Sequence, residues 1–484
     1  MDRDGASLQA QGRVELAAST GDITARDNES TSSTSRERSP TTRYGERDDD
    51  HNGGLRDYFE TAQWTADGTT ILTSSSSNLI SGYIVPEDLL SPTASRPLKL
   101  VPQAAIQLPE PSNVLAGAPY FRLAEPWTQQ LLVSARDHPI QLFYLSSSSS
   151  SSSPSPSQQE HQHHQKPASC YPLTKARSET FLSATSLAWP SPGTHFVAGA
   201  RNLLAQFDVA RAGGGPLRRV KTIPSDRHPS KGGGVGMRGA VSALAAQPPD
   251  ARHASLVAAA TWTRWVGLYD FAAPDAGACV ATWSVARAAD GHGGPGGGGG
   301  VAQAVWSPCG RYLLLGERKS AGILVYDVRV TGKLLGWLAG RDALGNQRIA
   351  CDVFPGQGQG EGEAGFEVWS GSTHGDVKVW EGVGTREGAH EPAWGWSAAR
   401  RSTVSSTCMH QSGAVVATCS GSWEFPEEGE ESGGDDESGP QSESSSSEAP
   451  WMRRRNRESS LKIWSLSNNG YEASSPEGDR DGKK

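Results

Sequence analysis

The residues of this chain best suited to chemistry are cations set in short turns. Arg318 and Lys319 occupy GERKSAG, Arg329 follows the strand end in YDVR, and Arg341 and Arg348 flank GNQ in AGRDALGNQRIACDVF. Arginine on a loop held by a rigid scaffold grips phosphate oxygens. For each residue taken singly, the alternative is ordinary solvated surface. A second cluster, Arg453, Arg454, Arg455 and Arg457 in MRRRNR, fits either a nuclear-import patch or a basic run neutralised by the acids before it.

Catalytic and metal-binding patterns are weaker. The histidines of HQHHQ, His161 to His164, lie in a Ser/Gln/Pro tract with no fixed geometry, which reads as a low-complexity linker. GHGGPGGGGG resembles a phosphate loop in composition only, because the Gly-Lys-Ser/Thr ending is missing and a strand follows. His292 within it reads as a turn histidine. Asp67 and Asp376 sit in turns, where carboxylates cap backbone N–H groups. With no GxSxG, HExxH or paired-carboxylate arrangement, the expectation is a protein that is not an enzyme and needs no cofactor and no metal.

Composition narrows the class. The chain has 484 residues, 15 tryptophans, four methionines and a net charge of −8. Residues 1–54 carry 11 acids and 7 bases, and residues 424–449 carry 10 acids and no base. What remains holds 38 bases against 32 acids, a body of +6 that admits an anionic partner. The first 20 residues lack an apolar core and no run reaches the ~18 apolar residues of a membrane span, so a soluble, intracellular protein with no membrane contact is expected. Six scattered cysteines without a CxxC pair read as reduced, buried small residues.

The elements that position the cations come from a repeat. In SGSTHGDVKVWEG (370–382), Val377 and Val379 alternate with Lys378 after a THGD turn, and Phe366 and Val368 alternate before it, which predicts a hairpin. Seven strand ends carry an aromatic: Tyr83, Phe143, Phe207, Tyr269, Tyr326, Trp380 and Trp464. Upstream lie strand–turn–strand signatures, WTADGTTILTSS, LAWPSPGTHFVAGA, VWSPCGRYLLLGE and HQSGAVVATCSGS, giving about four strands per unit. The expectation is an all-β fold, a seven-bladed WD-repeat β-propeller over 55–466. The aromatics are spaced 54 to 84 residues apart, so disordered insertions are expected at about 146–169, 211–239, 284–300 and 424–456. Disordered tails are expected at 1–54 and 467–484, and the segment just before Tyr58 is expected to close the last blade. Ser153, Ser155 and Ser444 to Ser447 in the insertions are open to phosphorylation.

Four stretches resemble one WD-repeat family. They are DYFETAQWTADGTTILTSSSSNLISGY (57–83), ARDHPIQLFY (135–144), GNQRIACDVF (345–354) followed by WSGSTHGDVKVW, and VVATCSGSWEFPEEGEESGGDDE continued by SLKIW. Together they are similar to the telomerase Cajal body protein family and its fungal splicing-associated relatives. NQRI and the acidic excursion after a Phe-Pro carry the most specific likeness.

The resemblance implies a non-catalytic RNA-binding scaffold in the nucleus, Cajal-body-like or nucleoplasmic. Family members hold small Cajal body RNAs and telomerase RNA, and fungal relatives are linked to pre-messenger RNA splicing. Implied partners are small nuclear or Cajal-body-type RNA and its ribonucleoprotein components, with the cytosolic chaperonin assisting folding and a monomeric state. On this reading Arg318, Lys319, Arg329, Arg341 and Arg348 contact phosphates, and Asn346 and Gln347 read an unpaired base edge. The alternative is a protein adaptor such as a cullin ubiquitin-ligase substrate receptor, because LVYDVR resembles the WD-x-Arg box of such receptors with Tyr326 in place of Trp.

Overall fold

The computed structural model describes residues 13–23, 57–92, 95–145, 165–223, 237–249, 256–272, 277–291, 294–356, 365–400, 402–422 and 458–467. Within them the chain forms seven sheets, each of four antiparallel strands; blades 5 and 7 add a short fifth strand, Gly388–His390 and Leu98–Lys99, paired parallel to the outer one. Blade 1 is Phe59–Trp64, Thr70–Ser75, Leu79–Ile84 and Ala104–Gln107, and blade 2 is Ser112–Gly117, Gln130–Ala135, Ile140–Tyr144 and Ser169–Tyr171. Blade 3 runs from Ser186 to Lys221, blade 4 from Val241 to Ser284, blade 5 from Val301 to Leu338 and blade 6 from Cys351 to Ser397. Blade 7 takes Val404–Met409, Val415–Ser420 and Leu461–Leu466 from the C-terminal part of the chain. The architecture is the expected all-β, seven-bladed propeller.

All seven strand-end aromatics fall on the third strand of their blades, and none is more than 9% exposed. That strand is flanked on both sides within its sheet, so its large side chains fill the space between neighbouring blades. Trp380 is fully buried among Leu314, Ile323, Val325 and Val368, and its Nε1 donates to Ala339 O at 3.1 Å. A sheet apolar on its faces must bury them against other elements, here the neighbouring blades. Polar stitches accompany this packing at every seam. Asp67 accepts from Leu123 N (2.7 Å), Ser134 donates to Ala184 O (3.0 Å), Ser186 to Val241 O (2.6 Å) and Ser242 to Val301 O (2.5 Å). Gln303 exchanges two 2.8 Å bonds with Cys351, Asp352 accepts from Met409 N at 2.8 Å, and Ser405 donates to Phe59 O at 3.0 Å. The last of these joins blade 7 to blade 1 and closes the ring.

Three sequence expectations are corrected. The closing strand does not come from the segment before Tyr58. It is Val14–Ser19, inside the stretch read as a disordered tail, paired antiparallel with Leu461–Leu466 from Val14↔Leu466 to Ser19↔Lys462. Ala17 and Ala18 are fully buried there, and those small side chains let the strand lie flat on the core. The 211–239 segment contributes Arg218–Lys221 as the outer strand of blade 3. The 284–300 segment is also structured: Ala286–Ala289 forms a helical turn, and Gly299 N donates to Arg318 O at 2.7 Å. Of the cysteines, Cys351, Cys408 and Cys419 are buried, Cys170 and Cys279 half-buried, and Cys309 exposed. His161 to His164, His292, Ser153, Ser155, Ser444 to Ser447 and the MRRRNR arginines lie outside the described residues.

Candidate functional site

The inner strands follow one another around a central channel, blade 7 returning to blade 1. At one mouth of the channel opens a cavity of about 1230 Å³. Its floor is Thr61, Ala62, Gln63, Val114 and Leu115 from the inner strands of blades 1 and 2. Its rim is built from turns: Trp262 of blade 4, Arg318 of blade 5, Gly345 to Arg348 leading into blade 6, and Thr373 and His374 of blade 6. The THGD turn of the 366–383 hairpin therefore faces the channel.

Backbone irregularity aims the floor residues. Five inner strands carry a β-bulge at the same level, between Phe59 and Thr61, Ser112 and Val114, Val241 and Ala243, Val301 and Gln303, and Val404 and Ser406. A bulge leaves one residue out of the pairing and re-aims its side chain. In blades 1 and 2 the extra residues, Glu60 and Asn113, face the cavity. In blades 4 and 7 they are Ser242 and Ser405, which donate to the next blade.

The Trp262 turn is locked against the Arg318 turn by charge. Arg264 donates through Nε and Nη2 to both oxygens of Glu317 (2.7 and 3.0 Å) and through Nη1 and Nη2 to both oxygens of Asp290 (2.7 and 2.9 Å). Paired forks of this kind are the strongest charge-assisted arrangement. The glycine run passes through the same seam. A Cβ on Gly298 would sit 2.6 Å from Arg264 Nη2 and Glu317 Oε2, and one on Gly300 would sit 2.4 Å from Trp262 O. Both adopt positive φ, so these positions accept no larger residue.

Two guanidiniums converge on the cavity without carboxylate partners among the described residues. Arg318 stacks over the Trp262 ring with Cζ 4.7 Å from its centroid, and its Nε is buried with no hydrogen-bond partner among the described residues. Arg348 makes one long contact, Nη1 to Asn113 O at 3.4 Å. Burial depresses the pKa of both from the ordinary arginine value, and Arg318 adds to the depression of Arg348 through like-charge repulsion. Glu60 is the one acid lining the cavity among the described residues; burial raises its pKa, and Arg348 opposes the rise.

Arg318, Asn346, Gln347 and Arg348 thus share one cavity, with exposed Lys319 on the same turn as Arg318. Asn346 is exposed, whereas the Gln347 amide donates to Gly421 O at 2.7 Å and is committed to blade 7. Arg329 and Arg341 are corrected out of the group. Arg329 follows the far end of Ile323–Asp327, so it lies on the opposite face, where it pairs with Asp327 at 2.5 Å. Arg341 is 2% exposed and donates to Ile349 O, out of reach of any phosphate. The sequence reading missed Trp262, Glu60 and Asn113. A tryptophan inside a tight turn, as in TWTRW, was the available signal for the first.

No family model matches the chain. Sequence relatives cover most of it. The fission yeast Schizosaccharomyces pombe guanine nucleotide-binding protein negative regulator 1 is 24% identical over 337 residues, 69% of this chain and 73% of that protein. Human telomerase Cajal body protein 1 is 25% identical over 386 residues, 78% of this chain and 60% of the human protein. This chain is a propeller related to the telomerase Cajal body proteins. The cattle member of that group is 25% identical over 377 residues, 76% of this chain. The match spans about three-fifths of the length of these Cajal body proteins.

Proposed function

We propose that this chain is a non-catalytic WD-repeat scaffold that binds a small nuclear or Cajal-body-type RNA, or its ribonucleoprotein, at the channel mouth. One observation carries the reading: Arg318 and Arg348 face a common cavity, both desolvated, with no acid within ion-pair distance among the described residues. Holding two like charges together costs free energy that an anionic ligand would offset. The names of the Cajal body relatives supply the biological class, and the mildly basic body suits a polyanion. On this reading the protein works in the nucleus, in ribonucleoprotein biogenesis, telomerase RNA trafficking or pre-messenger RNA splicing. It acts there as a monomer that the cytosolic chaperonin helps to fold. Crosslinking in cells followed by sequencing of the bound RNA tests the proposal. Enrichment of a defined small-RNA class supports it, and recovery of no class above background refutes it.

A second reading rests on the opposite face, where Arg329 is exposed and neighbours the exposed apolar side chain of Val330. That pair suits a protein partner, including a cullin-ligase adaptor. The name of the fission yeast relative, a guanine nucleotide-binding protein negative regulator, also describes regulation of a protein. Co-purification separates the readings: a ligase adaptor retained by the wild type and lost on Arg329→Glu supports this one.

A further inference from the structure

The rim joins two cations to a half-exposed indole, and this combination is more specific than a basic patch. Trp262 is 44% exposed although Arg318 covers part of its ring, and both line the same cavity as Arg348 and Asn346. The backbone that carries the indole is fixed, because Arg264 ties the turn to blade 5 through Glu317 and Gly300 packs against the Trp262 backbone. A large apolar ring held open to solvent at a channel mouth offers a stacking platform. Two guanidiniums beside it offer a phosphate clamp.

Resting on the RNA reading above, we propose that the channel mouth seats a single unpaired ribonucleotide. Its phosphate lies between Arg318 and Arg348, and its base stacks on the indole of Trp262 or on the Arg318 guanidinium plane. Single-stranded loops are where RNA sequence is read, because only unstacked bases present their faces and edges to a protein. The cavity is concave and bordered by inner strands and turns of six blades, a shape that suits a splayed nucleotide better than the convex side of a duplex. Glu60 stands at its floor as an acceptor for a base amino group or a 2′-hydroxyl.

The test uses the full chain and a mixed-sequence single-stranded 12-nucleotide RNA carrying 4-thiouridine. Irradiated complexes are digested and the crosslinked peptides are mapped. The proposal expects crosslinks at Trp262 or within Gly345 to Arg348. It expects Trp262→Ala to weaken binding about tenfold or more, with Trp262→Phe retaining most of the affinity. Arg318→Gln and Arg348→Gln should each flatten the salt dependence by about one phosphate contact. A duplex of the same length should not compete. Crosslinks confined to other blades, with full affinity in Trp262→Ala, overturn the proposal while leaving the RNA reading intact. Equal competition by duplex or by inorganic phosphate also overturns it. Failure of any RNA to bind removes both. The crosslink map needs no variant, so a misfolded arginine mutant does not cloud it.

Discussion

Arg264 is the residue on which both the blade 4–blade 5 seam and the proposed stacking platform depend. Its side chain is 14% exposed, and the Glu317 side chain it grips is 1% exposed. Replacing it by methionine keeps the volume and removes the charge, which strands a buried carboxylate. Breaking a buried ion pair from one side costs about 3–5 kcal/mol. Asp290, half-exposed, recovers water and adds little. Burial already raises the Glu317 pKa against the pull of Arg264, so in Arg264→Met it should rise further. A carboxyl raised above its unfolded value stabilises the fold below the unfolded pKa, and that stability is lost as pH rises through the folded value. The variant's deficit should therefore be small near pH 4 and full at pH 8. Urea unfolding followed by tryptophan fluorescence at the two pH values measures it. The double substitution Arg264→Met/Glu317→Leu should regain most of the stability, because an apolar pair replaces a buried ionic one at little cost. A deficit under about 1 kcal/mol at pH 8, or one independent of pH, would refute the reasoning. Hydrogen exchange at 261–265 and 296–300 should quicken in both variants, since neither holds the Trp262 turn by charge.

Further predictions follow from single structural facts. Ala18→Asp puts a carboxylate at a fully buried position of the closing strand, and it should lower the urea midpoint and speed exchange at Leu461–Leu466. Burial pushes Asp352 up to about 6 from 3.8, against hydrogen bonds from Met409 and Val353. Stability linked to it is present below about pH 4 and lost as pH rises through 6, about 3 kcal/mol in all; Asp352→Asn should remove that pH dependence, as stability measured from pH 4 to 7 would show. Arg341 leaves Nε and Nη1 buried without partners among the described residues. Arg341→Met should therefore be neutral or stabilising in thermal denaturation and leave RNA affinity unchanged.

The parts of the fold legible in the sequence are those with a local cause. Tyr326, Trp380 and the other third-strand aromatics announce their strands through alternation and an adjacent turn, and all seven fall where the repeat requires. The closing strand was not legible. VELAAS sits among charged and serine-rich residues, and its partner lies some 440 positions away, from Ser19↔Lys462 to Val14↔Leu466. No turn links the two, so the pairing is dictated only by an open edge on blade 7 and two alanines small enough to cover it. The glycine run failed for a different reason. Composition reads Gly296 to Gly300 as a linker, yet the same absence of Cβ lets a backbone pass within contact of Arg264 and Trp262. One chemical property serves either purpose, and only the neighbours decide.

The arginines make the same point about function. Arg341 and Arg348 flank one short loop and look equivalent in sequence, but a turn of backbone sends one into the core and the other to the cavity. Charge alone therefore predicts a basic face without locating a site. What singles out the channel mouth is the conjunction of a committed and an uncommitted set. Arg264 spends its guanidinium on Glu317 and Asp290, Lys378 donates to Gly340 O and pairs with Asp342, and Arg329 pairs with Asp327. Arg318 and Arg348 are half-buried and form no ion pair with an acid among the described residues, Arg348 feeling, of the acids, only the charge of Glu60 across the cavity. On the function proposed above, a fold that satisfies the neighbouring cations and leaves two facing the same cavity keeps the means to bind an anion there, and Trp262 beside them would favour one that carries a flat ring.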